Sequence, residues 1–171
     1  TITMDDNAKK TALRMIPYGI YVMTTTGDDG ALAAATVNWV TQTAFNPPLV
    51  AVGVKADSSV YEMVKGSRGF ALNMLGKGQQ GMAFGFFKPS EVDGNKISGE
   101  PFEAGAETGS PILQNATASV ECKVVEIVEQ GDHHIVVGEV VNAHVAKAPE
   151  GRPDDAILEM RELGDNVFYG G

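Results

Sequence analysis

The sequence predicts a mainly β protein, a closed β-barrel with added helices. Strand-like segments dominate, bounded by Gly, Pro, Asn and Asp. They do not alternate regularly with helices, as a Rossmann sheet requires. Closing such strands into a barrel also removes exposed edges.

The elements follow in order. Asp5 to Ile16 reads as a helix, with Asp5 or Asp6 as its cap and Pro17 as its stop. Ala8, Leu13 and Ile16 are among its apolar positions. Ile20 to Thr26 is a strand, and Gly27-Asp28-Asp29-Gly30 a tight turn. Ala31 to Ala44 is expected as one long second strand, opened by the small residues Ala31, Ala33, Ala34 and Ala35. Those residues admit either a flat group close to the backbone or tight packing against a neighbour. An Asn46-Pro47-Pro48 corner leads into Leu49 to Val54, whose near-continuous apolar run predicts burial on both faces. A short helix from Val60 to Lys65, a strand from Gly69 to Leu75 and a helix from Gln79 to Phe87 come next. Lys88 to Gln114 is rich in Gly, Pro and Glu and is expected as a long irregular excursion. Ala116 to Val128 and His133 to Val145 form a hairpin across Glu129-Gln130-Gly131-Asp132. Ala148 to Asp155 is a loop, Ile157 to Arg161 a short strand and Asn166 to Tyr169 a closing segment. No repeat or linker divides the chain, so residues 1–171 are expected to form a single domain.

Composition removes several function classes. Net charge is −9 and no Lys/Arg cluster exceeds two neighbours, which argues against nucleic acid. No apolar run is long enough for a membrane span. The polar start, Thr1 to Lys10, lacks a signal-peptide core, and a cytoplasmic protein is expected. The single Cys122 leaves no intramolecular disulfide and no Cys-cluster metal site. It lies on an alternating strand and reads as a buried thiol on a core face.

Three segments are candidates for chemistry. Asn38, Trp39, Thr41 and Gln42 lie within five residues, an unusual cargo for a strand. They suit a flat, partly polar ligand, or simply a core Trp beside surface amides. On one continuous strand Asn38 and Gln42 would share a face, with Trp39 and Thr41 opposite. Lys55-Ala56-Asp57-Ser58-Ser59 stands at a strand end and a helix start, where backbone N–H groups, hydroxyls and a Lys can hold an anion. Asp57 or Ser58 could equally be a plain helix cap. Adjacent His133 and His134 would point to opposite faces, so no metal site is expected; either serves as a proton donor or contact beside a cofactor, or as a turn residue. There is no dinucleotide fingerprint, P-loop or nucleophile elbow. Any chemistry must come from a bound cofactor.

The ordered set of stretches resembles the flavin reductase-like family of FMN-binding split barrels. The stretches are Pro17 to Thr25, Ala35 to Val54, Gly69 to Leu75, Ser110 to Leu113, Val120 to Val124, Gly131-Asp132-His133 leading to Val137-Gly138-Glu139-Val140, and Phe168-Tyr169-Gly170-Gly171. Trp39-Val40-Thr41-Gln42 and Phe45-Asn46-Pro47-Pro48 are most like the reductase modules of flavodiiron proteins and flavoredoxin-like members. The resemblance implies a six-stranded Greek-key barrel, a homodimer, and non-covalent FMN near the dimer interface. By position, Thr36, Val37, Asn38, Trp39, Val40, Thr41 and Gln42 would line the isoalloxazine and ribityl chain. Lys55, Ala56, Asp57, Ser58 and Ser59 would hold the phosphate. His133 would be the catalytic residue, near the arriving nicotinamide. Phe168 could cover the ring, and Lys88 or Lys96 could reach a phosphate or the incoming nucleotide.

What this implies is an NAD(P)H:flavin reductase, with NADH or NADPH as co-substrate. Its electrons would go to free flavin, iron, or an electron-transfer or monooxygenase partner. The rival is an FMN electron carrier reduced by a protein partner such as a rubredoxin or ferredoxin. A split barrel binding haem or a deazaflavin is a third reading.

Overall fold

A computed structural model describes residues 2–171; Thr1, the first residue of the polar start, lies outside them. Asp5 accepts the Ala8 N–H and caps α1 (Asp6–Arg14), which lies on the outside and buries none of its residues. β1 (Tyr21–Thr26) and β2 (Leu32–Val37) form a hairpin in which Tyr21 faces Val37. Its turn needs Gly30, which sits at φ +81°. β3 (Val40–Ala44) pairs with β4 (Leu49–Lys55) across the Asn46-Pro47-Pro48 corner. Then come α2 (Ser59–Ser67), β5 (Gly69–Met74) and α3 (Gln80–Gly85). Four short strands follow: β6 (Val92–Asp93), β7 (Lys96–Ile97), β8 (Glu100–Ala104) and β9 (Pro111–Leu113). The long hairpin of β10 (Ala118–Val128) and β11 (His133–Val145) completes the strands.

The main sheet has the order β2-β1-β5-β10-β11-β4-β3, antiparallel throughout. Its edge strands are neighbours in sequence. In a flat sheet of seven strands, six steps of about 4.8 Å would set the edges about 29 Å apart. Only Asn38 and Trp39 join β2 to β3, and such a link spans about 10 Å at most. The sheet must therefore curl onto itself. It forms a barrel whose seam stays open, because β2 and β3 do not pair with each other. The closed barrel expected from the strand pattern is thus corrected to an open-seamed one, the split barrel that the family resemblance implies. Counting β2 and β3 as one closing strand gives the expected six.

Burial separates the two faces. Met23, Val52, Phe70, Leu72, Cys122 and Val136 meet inside, with Val60, Tyr61 and Val64 of α2 packed on them. Ile20, Val22, Leu75, Phe86, Ile97 and Leu158 form a second cluster. Burial, and then the charge of Glu121, pushes the Cys122 thiol up to about 12, so it is inert at neutral pH. Gly138 packs directly against the barrel interior. A Cβ there would come 2.7 Å from Phe70 Cζ and 2.9 Å from Cys122 Cβ. Gly138→Ala should therefore cost about 1–3 kcal/mol by overpacking, read as a lower urea midpoint with unchanged slope.

Four more expectations change. The strand expected from Ala31 to Ala44 is two, broken at Asn38-Trp39, because its halves pair with β1 and β4 on opposite sides of the seam. The alternation argument for Asn38 and Gln42 therefore lapses. The strand from Leu49 is buried on one face only: Val52 and Val54 are enclosed and Val50 packs beside them, while Leu49, Ala51 and Gly53 on the opposite face are half-buried. The excursion from Lys88 to Gln114 holds a second four-stranded sheet, β6-β7-β8-β9, which buries Ile97 and Leu113. Ile157 to Arg161 is not a strand. Single bridges join Ile157 to Gly76 and Glu159 to Gly19, and Met160–Leu163 then turns as a 3₁₀ helix. No helix among the described residues is long and apolar enough to cross a membrane.

Candidate functional site

The seam opens into a cavity of about 450 Å³, within the range of small-molecule and cofactor sites. β2 supplies Ala34 to Val37, and Asn38 follows at the break. β4 supplies Gly53 to Lys55, and the start of α2 adds Asp57 to Val60. Phe86 to Pro89, His133, Met160 and Tyr169 complete the wall. Thr36, Val37, Asn38, Lys55, Asp57, Ser58, Ser59, Lys88 and His133, far apart in sequence, thus meet at one place. Trp39, Val40, Thr41, Gln42, Ala56 and Phe168 do not line it.

Local structure explains both groups. Thr36 donates from its hydroxyl to Ala83 O at 2.6 Å, and its N–H reaches Phe86 O at 3.2 Å. These bonds tie α3 to the β2 edge and carry Phe86 to Pro89 onto the cavity. Asn38 is buried and donates from Nδ2 to Tyr169 O at 3.1 Å. Beyond the break β3 turns away, leaving Thr41 and Gln42 exposed. The Trp39 ring lies over Gly53, where a Cβ would be 3.2 Å from Trp39 Cβ. It sits behind His133 with ring centres 4.6 Å apart. Its indole Nε1 is buried with no partner among the described residues. Ala56 donates its N–H to Asp132 O at 3.0 Å, fastening the hairpin turn. Phe168 lies under the Arg14 guanidinium at 4.3 Å, facing a different cavity.

The anion end is built from the first turn of α2. Ser58 Oγ donates to Lys55 O at 2.7 Å and accepts the Tyr61 N–H at 3.2 Å. Ser58 is therefore the cap, one of the two roles open from sequence. Ser59 and Val60 hold first-turn N–H groups, which lack intrahelical acceptors, at the positive end of the helix dipole. Lys55 Nζ stands 3.5 Å from Asp57, both side chains largely in solvent.

Opposite lies a relay invisible in the sequence. His133 pairs through Nδ1 with Asp132 at 3.0 Å and through Nε2 with the Tyr169 hydroxyl. With Nδ1–H donating to Asp132, Nε2 accepts the Tyr169 O–H. The hydrogen bond to His133 holds the Asp132 carboxyl below its ordinary value. Burial raises the Tyr169 phenol, and the charges of Asp132 and Asp57 add to the rise. Tyr169, Phe86 and Met160 are wall residues that sequence reasoning missed. The one available signal was the aromatic pair Phe168-Tyr169: only one of two adjacent residues can face the cavity, and it is Tyr169.

The cavity pairs apolar walls (Ile20, Ala34, Ala35, Val54, Phe86, Met160) with a donor-rich end at Lys55 to Val60, where Lys55 stands beside Asp57. That suits an aromatic ring system with a phosphate tail, such as a flavin nucleotide.

Residues 13–161 match the flavin reductase like domain family. The chain is 34% identical over 149 residues to diflavin flavoprotein A 1 of Synechocystis, covering 85% of this chain and 25% of that protein. It therefore spans about a quarter of the length of that relative. It is 30% identical over 152 residues to a flavin reductase of Pseudomonas putida, covering 89% of this chain and 84% of the relative. The solved NADH:FAD oxidoreductase of Streptomyces globisporus superposes with a TM-score of 0.69 at 27% identity, covering 85% of this chain and 86% of that one. From the match over residues 13–161, with the split barrel and its seam cavity, the chain belongs to the flavin reductase-like family.

Proposed function

We propose that this chain is an NAD(P)H-dependent flavin reductase that holds FMN non-covalently in the seam cavity. The observation that carries the proposal is that one cavity joins an apolar wall to the N-terminus of α2. Lys55, Ser59 and the first-turn N–H groups of α2 would hold the phosphate. Backbone groups from Thr36 to Asn38 would hold the ring edge. Bound FMN would supply the hydride acceptor, its N5 taking the hydride from nicotinamide C4. No side-chain acid or base is needed for that transfer. The task of His133 is placement: Asp132 and Tyr169 fix its ring beside Trp39. Phe86, Met160 and Tyr169 exclude water from the ring site.

A homodimer belongs to this reading, supported by the exposed Phe45 at the corner between β3 and β4. Free flavin, iron, an electron-transfer protein or a monooxygenase would receive the electrons. The electron-carrier alternative is favoured by the match to a diflavin flavoprotein of which this chain spans only a quarter.

Anaerobic titration separates the two. FMN-loaded protein should show bands near about 375 and 450 nm that bleach on adding NADH or NADPH. Bands that bleach with dithionite but ignore both nucleotides would favour the carrier. A protein that takes up no FMN would overturn both.

A further inference from the structure

A second cavity, about 470 Å³, lies against the first. Met160 and Tyr169 line both, so the two are one side chain apart. The walls of the second come from the end of α1 and from the closing segment. They are aromatic and charged: Arg14, Tyr18, Arg161, Asp165 and Phe168. Its two arginines are not equivalent. Arg161 is neutralised by Glu159, with both Nε and Nη2 at 2.7 Å from the carboxylate. Arg14 has no carboxylate partner among the described residues. It gives only Nε to Gly170 O at 3.2 Å, and its plane rests on the Phe168 ring at 4.3 Å. Its two terminal nitrogens remain for a ligand, and a guanidinium presents them as a fork that matches a phosphate. Phe168 is half exposed beside it and offers ring surface to a base.

From these features we infer that the second cavity takes the adenosine diphosphate half of the nicotinamide dinucleotide. Arg14 contacts the pyrophosphate, Phe168 gives the base an aromatic surface, and Tyr169 is the partition over which the molecule bends. The inference rests on the nicotinamide-dependent reading above. It gives a use to Phe168, which the first cavity leaves aside, and to the one arginine at the site with no carboxylate partner.

The test compares NADH with reduced nicotinamide mononucleotide, which carries the same hydride but no adenosine half. On the FMN-loaded full chain, kcat/KM should favour NADH at least tenfold. Arg14→Ala should cut that preference about tenfold, through loss of a charge-assisted phosphate contact. Phe168→Ala should cut it about fivefold or more, through loss of stacking surface. Both side chains are exposed, so neither change threatens the fold. Wild-type protein with no preference, or variants that keep the wild-type preference, would overturn the assignment. If neither reductant bleaches the flavin, the reductase reading itself fails. The cavity is then tested by ADP-ribose: binding that Arg14→Ala weakens supports the site, and no binding by wild-type protein removes it.

Discussion

Replacing Glu121 by Gln should lower folding stability by about 3 kcal/mol at neutral pH, the largest single-site effect expected in this chain. Glu121 is 0% exposed. Its Oε1 accepts the N–H groups of Glu107 (3.1 Å) and Thr108 (3.0 Å) and the Thr108 hydroxyl (2.9 Å). Its Oε2 takes Asn142 Nδ2 at 2.9 Å and His144 Nε2 at 3.0 Å. One carboxylate thus fastens the loop before β9 to the outer face of the β10–β11 hairpin. Burial alone would raise the carboxyl. The bonds from His144, Thr108 and Asn142 outweigh burial and hold it at about 2, against an ordinary 4.5. At about 1.4 kcal/mol per pH unit, that difference is worth roughly 3 kcal/mol. The folded value lies below the unfolded one. The stabilisation is therefore complete above pH 4.5 and is lost as pH falls from there toward 2. Urea midpoints of wild type and Glu121→Gln should differ most at pH 7 and converge only near pH 2. Parallel midpoint curves across that window would show that the carboxylate charge is not what holds the loop.

Glu121 also marks where sequence reading stops. Cys122 beside it was legible as a core residue from strand alternation, and alternation then turns Glu121 outward. Outward is correct, but the outer face is not solvent here. The residues before β9 fold over it, a tertiary event that no local pattern encodes. The same limit explains the break at Asn38-Trp39. β-propensity is local, and both halves of Ala31 to Ala44 have it. Only the pairing of one half with β1 and the other with β4 separates them. Helix α1, the β1–β2 hairpin and the β10–β11 hairpin were legible because caps, glycine turns and alternation act within a few residues. At the site, the Lys55 to Ser59 segment could be read because a strand end and a Ser cap are adjacent in sequence. The Asp132–His133–Tyr169 relay could not, because Tyr169 joins His133 from 36 residues away. The excursion failed for a different reason. Its strands are two to five residues long, too short for periodicity to register.

Lys55→Ala combined with Ser59→Ala should weaken FMN binding by about 2–4 kcal/mol, on the order of 30- to 1000-fold in Kd. The choice of residues follows from the hydrogen bonds. The Ser58 hydroxyl is already committed twice, to Lys55 O and to the Tyr61 N–H. Ser58→Ala would therefore act through the helix cap, costing about 1 kcal/mol of stability. Ser59 and Lys55 are exposed at the cavity, and Lys55 has only the loose contact to Asp57 to give up. Neither contributes to the core, so the double variant should unfold at the wild-type urea midpoint. Riboflavin supplies the decisive contrast, since it has the ring and ribityl chain but no phosphate. If Lys55 and Ser59 hold the phosphate, the variant loses affinity for FMN while its affinity for riboflavin stays where it was. Equal losses for both flavins would mean that the segment shapes the ring site. An unchanged FMN affinity would move the phosphate to the other cation on the cavity wall, Lys88, and would turn the orientation of the flavin around.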